Sequence, residues 1–179
     1  MEDILILVDE NDKEIGECGK MEAHVKKLLH RAFSLFLYNP KTKEILIQQR
    51  AYGKYHSGGC YSNSCCSHPR KGEELPVAVV RRTKQELNVD IQEEKLIPCG
   101  KFQYFAQFDE VAEHEIDNVF LYLVEEGEME NLVGNPEEVA KLQWVEKGEL
   151  DQWLAQEPEA FSAWFKRAYQ FVCEKMKEL

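Results

Sequence analysis

Asn63-Ser64-Cys65-Cys66-Ser67-His68-Pro69, continued by Gly72-Glu73 and by Ala78-Val79-Val80-Arg81-Arg82-Thr83-Lys84-Gln85-Glu86-Leu87, is the stretch on which the fold turns. It sets a thiol two residues from an imidazole, just ahead of an apolar run carrying charges at helical spacing. The run from Glu74 to Asn88 reads as a helix, with Asn88 suited to its C-cap. Within it Arg82 and Glu86 are four apart and share a face. On an extended backbone Cys66 and His68 point the same way. Cys65 reads as a buried small apolar residue, the usual state of an intracellular cysteine.

Outward from this stretch the pattern is mostly strand. Residues 4–8, a turn at Asn11-Asp12-Lys13 and residues 14–18 predict an edge hairpin. Residues 32–38 and 44–50 are β-rich runs around Asn39-Pro40-Lys41-Thr42-Lys43, a second hairpin. Residues 51–65, rich in Gly, Tyr and Ser, read as a long loop of the kind that carries function. Residues 95–108 and 115–124 read as strands, the second with Val119, Leu121 and Leu123 on one face. A short strand at 141–145 precedes a helical tail from Lys147 onward, with Phe161, Trp164, Phe165, Ala168, Phe171 and Val172 at helical spacing. Strands in mixed order around one central helix predict an α+β sandwich, taken as one domain over residues 1–179.

The net charge of −11 argues against a general nucleic-acid or acidic-membrane binder, which needs a broad positive field. A small anion is compatible with it, because a metal ion and a few basic residues reverse the field locally. The N-terminus lacks the basic flank of a signal peptide, and no run approaches the ~20 apolar residues of a membrane span. A cytoplasmic protein is expected, its six cysteines mostly reduced. Their spacing fits no paired zinc motif, and no Gly-rich dinucleotide loop calls for a flavin.

Glu113 and Glu115 lie two apart in an extended segment, so their carboxylates share a side while His114 faces the other. His24, His30 and His68 come from separate loops and can meet these carboxylates only through the fold. Three imidazoles and two carboxylates suit an octahedral Mn²⁺, Mg²⁺ or Zn²⁺ better than a tetrahedral structural zinc. Taken singly, each His is as readily a cap or a packing group, and the glutamates a solvated strand face. His56 and His114 read as structural or peripheral, Arg70 and Lys71 as solvated loop charges.

The central stretch resembles the Nudix pattern G-x5-E-x7-R-E-U-x-E-E-x-G-U, where U is apolar. At those positions the chain has Ser67, Glu73, Arg81, Arg82, Thr83, Gln85, Glu86, Asn88 and Val89. Glu73, Arg81 and Glu86 survive, whereas two glutamates have become Arg82 and Gln85. A hydrolase holding Mg²⁺ through clustered carboxylates is not expected to lose so many. Ala23-His24, Leu28-Leu29-His30-Arg31-Ala32-Phe33, Gln49-Arg50-Ala51, Lys54-Tyr55-His56-Ser57-Gly58-Gly59, Asn63 to Pro69 and Phe161-Ser162-Ala163-Trp164 together resemble type 1 isopentenyl-diphosphate isomerases. The likeness spans nearly the whole chain in order.

The resemblance implies a Nudix-like α/β/α sandwich with a mixed sheet, an extra N-terminal hairpin and C-terminal helices. It implies that His24, His30, His68, Glu113 and Glu115 converge on one divalent metal, and that Glu86 holds a Mg²⁺ bridging the substrate diphosphate beside Arg82. Lys20, Arg50, Lys54 and Arg82 occupy the positions expected to bind that diphosphate. The implied reaction is a 1,3-allylic proton shift between isopentenyl and dimethylallyl diphosphate. Glu115, supported by Tyr104, is the expected proton donor and Cys66 the expected acceptor, with roles exchanged in reverse. Trp164 would face the cationic centre with its π system. Whether a nearby cation or burial decides the charge of Cys66 is not legible in the sequence. No nucleic-acid or membrane partner is expected, and the sequence is compatible with a monomer or a homodimer.

The chain departs from the family at Gly59-Cys60-Tyr61-Ser62-Asn63, where Gly-Gly-Leu-Trp-Thr-Asn is common, and this questions the pocket's shape. The competing readings are a Nudix pyrophosphohydrolase of a small diphosphate and a non-catalytic metal- or phosphate-binding module.

Overall fold

The computed structural model describes residues 2–179. The first hairpin forms as expected from β1 (Ile4–Val8) and β2 (Glu14–Gly19). A short helix α1 (Lys20–Val25) follows where no helix was expected. The strands β3 (His30–Asn39) and β4 (Glu44–Arg50) meet only beside their turn, at Tyr38↔Ile45 and Asn39↔Glu44. The expected hairpin stops there because each strand takes other partners. β3 runs parallel to β8 (Val111–Leu123) from His30↔Glu115 to Tyr38↔Leu123. β4 pairs with β9 (Val139–Glu146) and with the short β5 (Tyr61–Ser62).

The expected long loop ends in this β5 and in β6 (Cys65–Ser67), which pairs antiparallel with β3 and puts Cys66 opposite Ser34. Helix α2 (Leu75–Leu87) ends at Asn88, whose φ of 56° and N–H bond to the Lys84 carbonyl make the expected left-handed cap. β7 (Ile97–Phe108) starts after a 3₁₀ turn at Glu93–Lys95 and pairs with β8. The tail is two helices, α3 (Lys147–Gln156) and α4 (Phe165–Met176). Phe161 and Trp164 lie in the break between them, held by a bridge from Phe161 to Tyr61.

Alternation in the central strands splits the core into two layers, the origin of the α/β/α sandwich. Phe33, Leu35, Leu37, Phe120 and Tyr122 pack with Ala78, Val79 and Leu87 of α2. Phe36, Val119 and Leu121 point the other way, onto Phe165, Ala168, Tyr169 and Val172 of α4. Helix α4 crosses β7 over Gly100, whose φ is 128° and where a Cβ would lie 2.7 Å from the Phe171 ring.

Two of the three retained charges, Glu73 and Arg81, tie elements of the fold together. Arg81 donates from Nε to Glu73 Oε1 at 2.7 Å and from Nη2 to Oε2 at 2.9 Å, while the Arg70 N–H adds a bond of 2.8 Å. Arg81 Nη2 also reaches the His68 carbonyl at 3.5 Å. The fork therefore ties α2 to the segment that presents His68. Arg81→Ala leaves the partly buried Glu73 carboxylate with only the Arg70 N–H and is expected to destabilise the protein by about 2 kcal/mol. For a chain of this size that is roughly a 4–8 °C fall in Tm, readable by calorimetry; a change below roughly 2 °C would remove the clamp from the account.

Candidate active site

One cavity gathers the ionisable residues of the central strands, with about 540 Å³ of empty space counted out to its mouth. At one end, potential ligand atoms of His24, His30, His68, Glu113 and Glu115 all lie within 4.8 Å of one another. His24 comes from α1, His30 opens β3, and His68 directly follows β6, so helix and strand ends supply what was expected of loops. Glu113 and Glu115 share a face of β8, and His114 faces out to Gln103 and the Lys27 carbonyl, as the alternation required.

The donor set fits a divalent ion. The His24 Nδ1–H donates to the Lys20 carbonyl at 2.6 Å, and the His30 Nδ1–H to that of Leu28 at 2.8 Å. Each ring is thereby held with Nε2 as the metal-facing acceptor. His30 Nε2 lies 3.2 Å and His68 Nε2 2.8 Å from Glu115 Oε1. Glu113 Oε2 is buried with no hydrogen-bond donor, 3.4 Å from His24 Nε2. Lone pairs aimed at carboxylate oxygens repel unless a cation lies among them. These five side chains could hold a divalent metal of the class that takes mixed nitrogen and oxygen ligands.

Tyr104, opposite Glu115 on β7, donates to Glu115 Oε2 at 2.7 Å. Burial opposes the Glu115 charge, but polar contacts around it, the Tyr104 hydroxyl bond among them, hold its carboxyl below the usual carboxylate range. Burial, reinforced by the two carboxylates, pushes the Tyr104 phenol well up, so it keeps its proton. Cys66 lines the same cavity, with Arg50 Nη1 3.9 Å from its sulfur. Burial outweighs that guanidinium and pushes the thiol up to about 12, which favours the neutral thiol in the metal-free site. Cys65 is fully buried against α2, as expected.

Trp164, 4% exposed, forms another wall. Its Nε1–H donates to Asn63 Oδ1 at 3.0 Å, and the Arg50 guanidinium lies 5.2 Å from its ring. At the polar end, Lys20, Lys54 and Arg82 line the cavity with Glu86 and Glu138. Arg82 binds Glu86 along the helix face, and Gln48 Nε2 approaches the second Glu86 oxygen at 3.5 Å.

Residues 28–165 match the NUDIX domain family. The chain is 41% identical to the isopentenyl-diphosphate Delta-isomerase of Photobacterium profundum, over 98% of this chain and 97% of that protein. It is 44% identical to that of Burkholderia multivorans, over 92% of this chain and 90% of the relative. The chain belongs to the isopentenyl-diphosphate Delta-isomerase family. Among solved structures, DR0079 from Deinococcus radiodurans superposes with a TM-score of 0.68 at 20% identity, over 94% of this chain and 97% of that one. An Ap4A hydrolase from C. elegans gives 0.58 at 18% identity, over 83% and 98%. These last two likenesses establish the Nudix fold alone.

Two expectations for the site need correcting. His56 is not peripheral: its Nε2 contacts Glu113 Oε1, its ring stacks on Phe108 at 4.7 Å, and it meets Trp164 edge-on at 6.1 Å. Tyr61, part of the departure that questioned the pocket's shape, does not line the cavity. It packs edge-on against Trp153 at 4.5 Å and beside Phe161, supporting the turn that carries Trp164 from behind. The sequence reading also missed Tyr55, whose hydroxyl lies 3.2 Å from His24 Nε2, and Asp117. Asp117 accepts from the Ser34 hydroxyl at 2.7 Å and is pushed up to about 8 by burial and by the Glu115 charge. The alternation of Glu113 and Glu115 extends to Asp117, a signal that was available. No helix among the described residues is long and apolar enough to cross a membrane.

Proposed function

We propose that this protein interconverts isopentenyl diphosphate and dimethylallyl diphosphate by moving a proton across the allylic unit. The observation that carries the reading is one cavity lined by a half-buried thiol, a tyrosine-supported carboxylate, an indole and a cluster of cations. An alkene is a weak base, so it needs an acid and a base fixed on either side of its carbons and no water to trap the cation.

In the forward direction the Glu115–Tyr104 side adds a proton to the terminal methylene, leaving a tertiary carbocation-like centre. The Cys66 sulfur then takes a proton from the carbon next to the diphosphate-bearing one, and the electron pair of that C–H bond becomes the new double bond. The resting thiol is the form that begins the reverse reaction. Forward turnover starts with the proton on the carboxylate side and the sulfur charge beside Arg50. Trp164 presents its π face to the cation, worth of order 1–2 kcal/mol in a dry site. Lys20, Lys54, Arg50 and Arg82 hold the diphosphate by charge-assisted hydrogen bonds. Glu86 would hold a Mg²⁺ that neutralises the diphosphate, and the three His and two Glu would hold a Mn²⁺, Mg²⁺ or Zn²⁺. The latter ion, when bound, orients Glu115 and lowers the free energy of its charged form. The loss of two Nudix glutamates to Arg82 and Gln85 counts against a pyrophosphohydrolase.

Purified protein with isopentenyl diphosphate, a divalent metal and deuterated water is expected to yield a dimethylallyl product carrying deuterium in its methyl groups. Unlabelled and unchanged substrate would overturn the reading, and release of inorganic phosphate would favour the hydrolase.

A further inference from the structure

Glu138 has no part in the reaction described above, yet it sits among the cations of the diphosphate end. Its Oε2 lies 2.5 Å from Lys54 Nζ and its Oε1 3.5 Å from Arg82 Nη2, the same nitrogen that binds Glu86. The placement is rigid. The Asn135 N–H donates to the Glu86 carbonyl at 2.7 Å, and the Glu138 N–H closes the next turn onto the Asn135 carbonyl at 2.9 Å. The Glu138 carbonyl in turn accepts from Ala51 at 2.9 Å, and the Lys54 N–H returns to the Ala51 carbonyl at 3.2 Å. The end of α2 thus fixes the loop that presents Glu138, and Glu138 fixes the loop that presents Lys54.

Charge gives this geometry a consequence. Lys20, Arg50, Lys54 and Arg82 line the cavity against two carboxylates at this end, Glu86 and Glu138. Burial, then repulsion from Lys54 and Arg82, draws the Lys20 ammonium below its usual range, and Glu138 is the foremost group opposing that effect. An arriving diphosphate must take Lys54 and Arg82 from Glu138, and it then lies beside the Glu138 carboxylate. Two anions in contact repel strongly in a partly buried site unless a cation separates them.

We propose that Glu138 is an internal counter-ion that occupies the diphosphate subsite and makes binding conditional on a divalent ion, so that the site selects a metal–diphosphate over a free anion. The inference rests on the diphosphate-binding reading above. It makes Glu138 a specificity-determining residue: it holds Lys54 in place before substrate arrives and rejects anions that come without metal.

The test measures binding of inorganic diphosphate by calorimetry, with and without added Mg²⁺, to protein whose His/Glu site has first been loaded. Wild type is expected to bind well only with Mg²⁺. Glu138→Gln keeps the side-chain shape but not the charge, and is expected to bind metal-free diphosphate roughly tenfold more tightly than wild type, about 1.4 kcal/mol. Its ratio of affinities with and without Mg²⁺ should fall accordingly. Glu138→Asp restores the charge and should restore the wild-type dependence; if it behaves like Gln, length rather than charge is responsible and the proposal fails. Equal or weaker metal-free binding by the Gln variant also overturns it. Failure of wild type to bind diphosphate under either condition overturns instead the reading on which it rests.

Discussion

Replacing Cys66 by alanine is expected to lower kcat by about 10⁴ or more, the upper end of what one positioned acid or base contributes. Affinity for inorganic diphosphate should stay within roughly threefold, because the cations of that end remain in place. The expected loss is large because the groups nearest the sulfur are already committed to other contacts. Arg50, 3.9 Å away, is a permanent cation that cannot accept a proton, and Ser34, opposite Cys66 on β3, is already engaged with Asp117. Both directions should fail together, since the group that accepts in one donates in the other. The check is deuterium entry into substrate and product, alongside calorimetric binding. Turnover within about tenfold of wild type would show that another group moves this proton.

What the sequence disclosed depended on how far each signal reaches along the chain. The Asn88 cap, the Arg82–Glu86 face and the shared side of Glu113 and Glu115 are local, and all three stand where spacing put them. The turn Asn39 to Lys43 is local too, but it fixed only the two residue pairs at the base of its hairpin; β3's parallel pairing with β8 depends on residues far along the chain. Helix α1 is too short to show a period, so His24 could not be placed on it in advance. His56 was undervalued for a similar reason: nothing near it in the sequence shows that Glu113, Phe108 and Trp164 surround it. Glu138 is one carboxylate among many in an acidic chain, and only its two cationic neighbours single it out.

Glu115→Gln is expected to be nearly as damaging as the loss of the thiol, and a second variant separates its two duties. Glu115 Oε1 faces His30 and His68, while Oε2 accepts from Tyr104. An amide removes the negative charge from both contacts, so it weakens the metal site and deprives the tyrosine side of its proton carrier. Glu113→Gln disturbs the metal site alone, because Glu113 contacts His24 and His56 and has no bond to Tyr104. Both variants should bind the divalent ion at least roughly 10–100-fold more weakly, a loss that even an outer partner of a ligand can cause. Saturating metal should then return most activity to Glu113→Gln but leave Glu115→Gln depressed by about 10³ or more. Metal content after dialysis and kcat across a metal titration read the two effects apart. If excess metal restored both variants alike, Glu115 would be a ligand only, and the proton would have to come from elsewhere in the cavity.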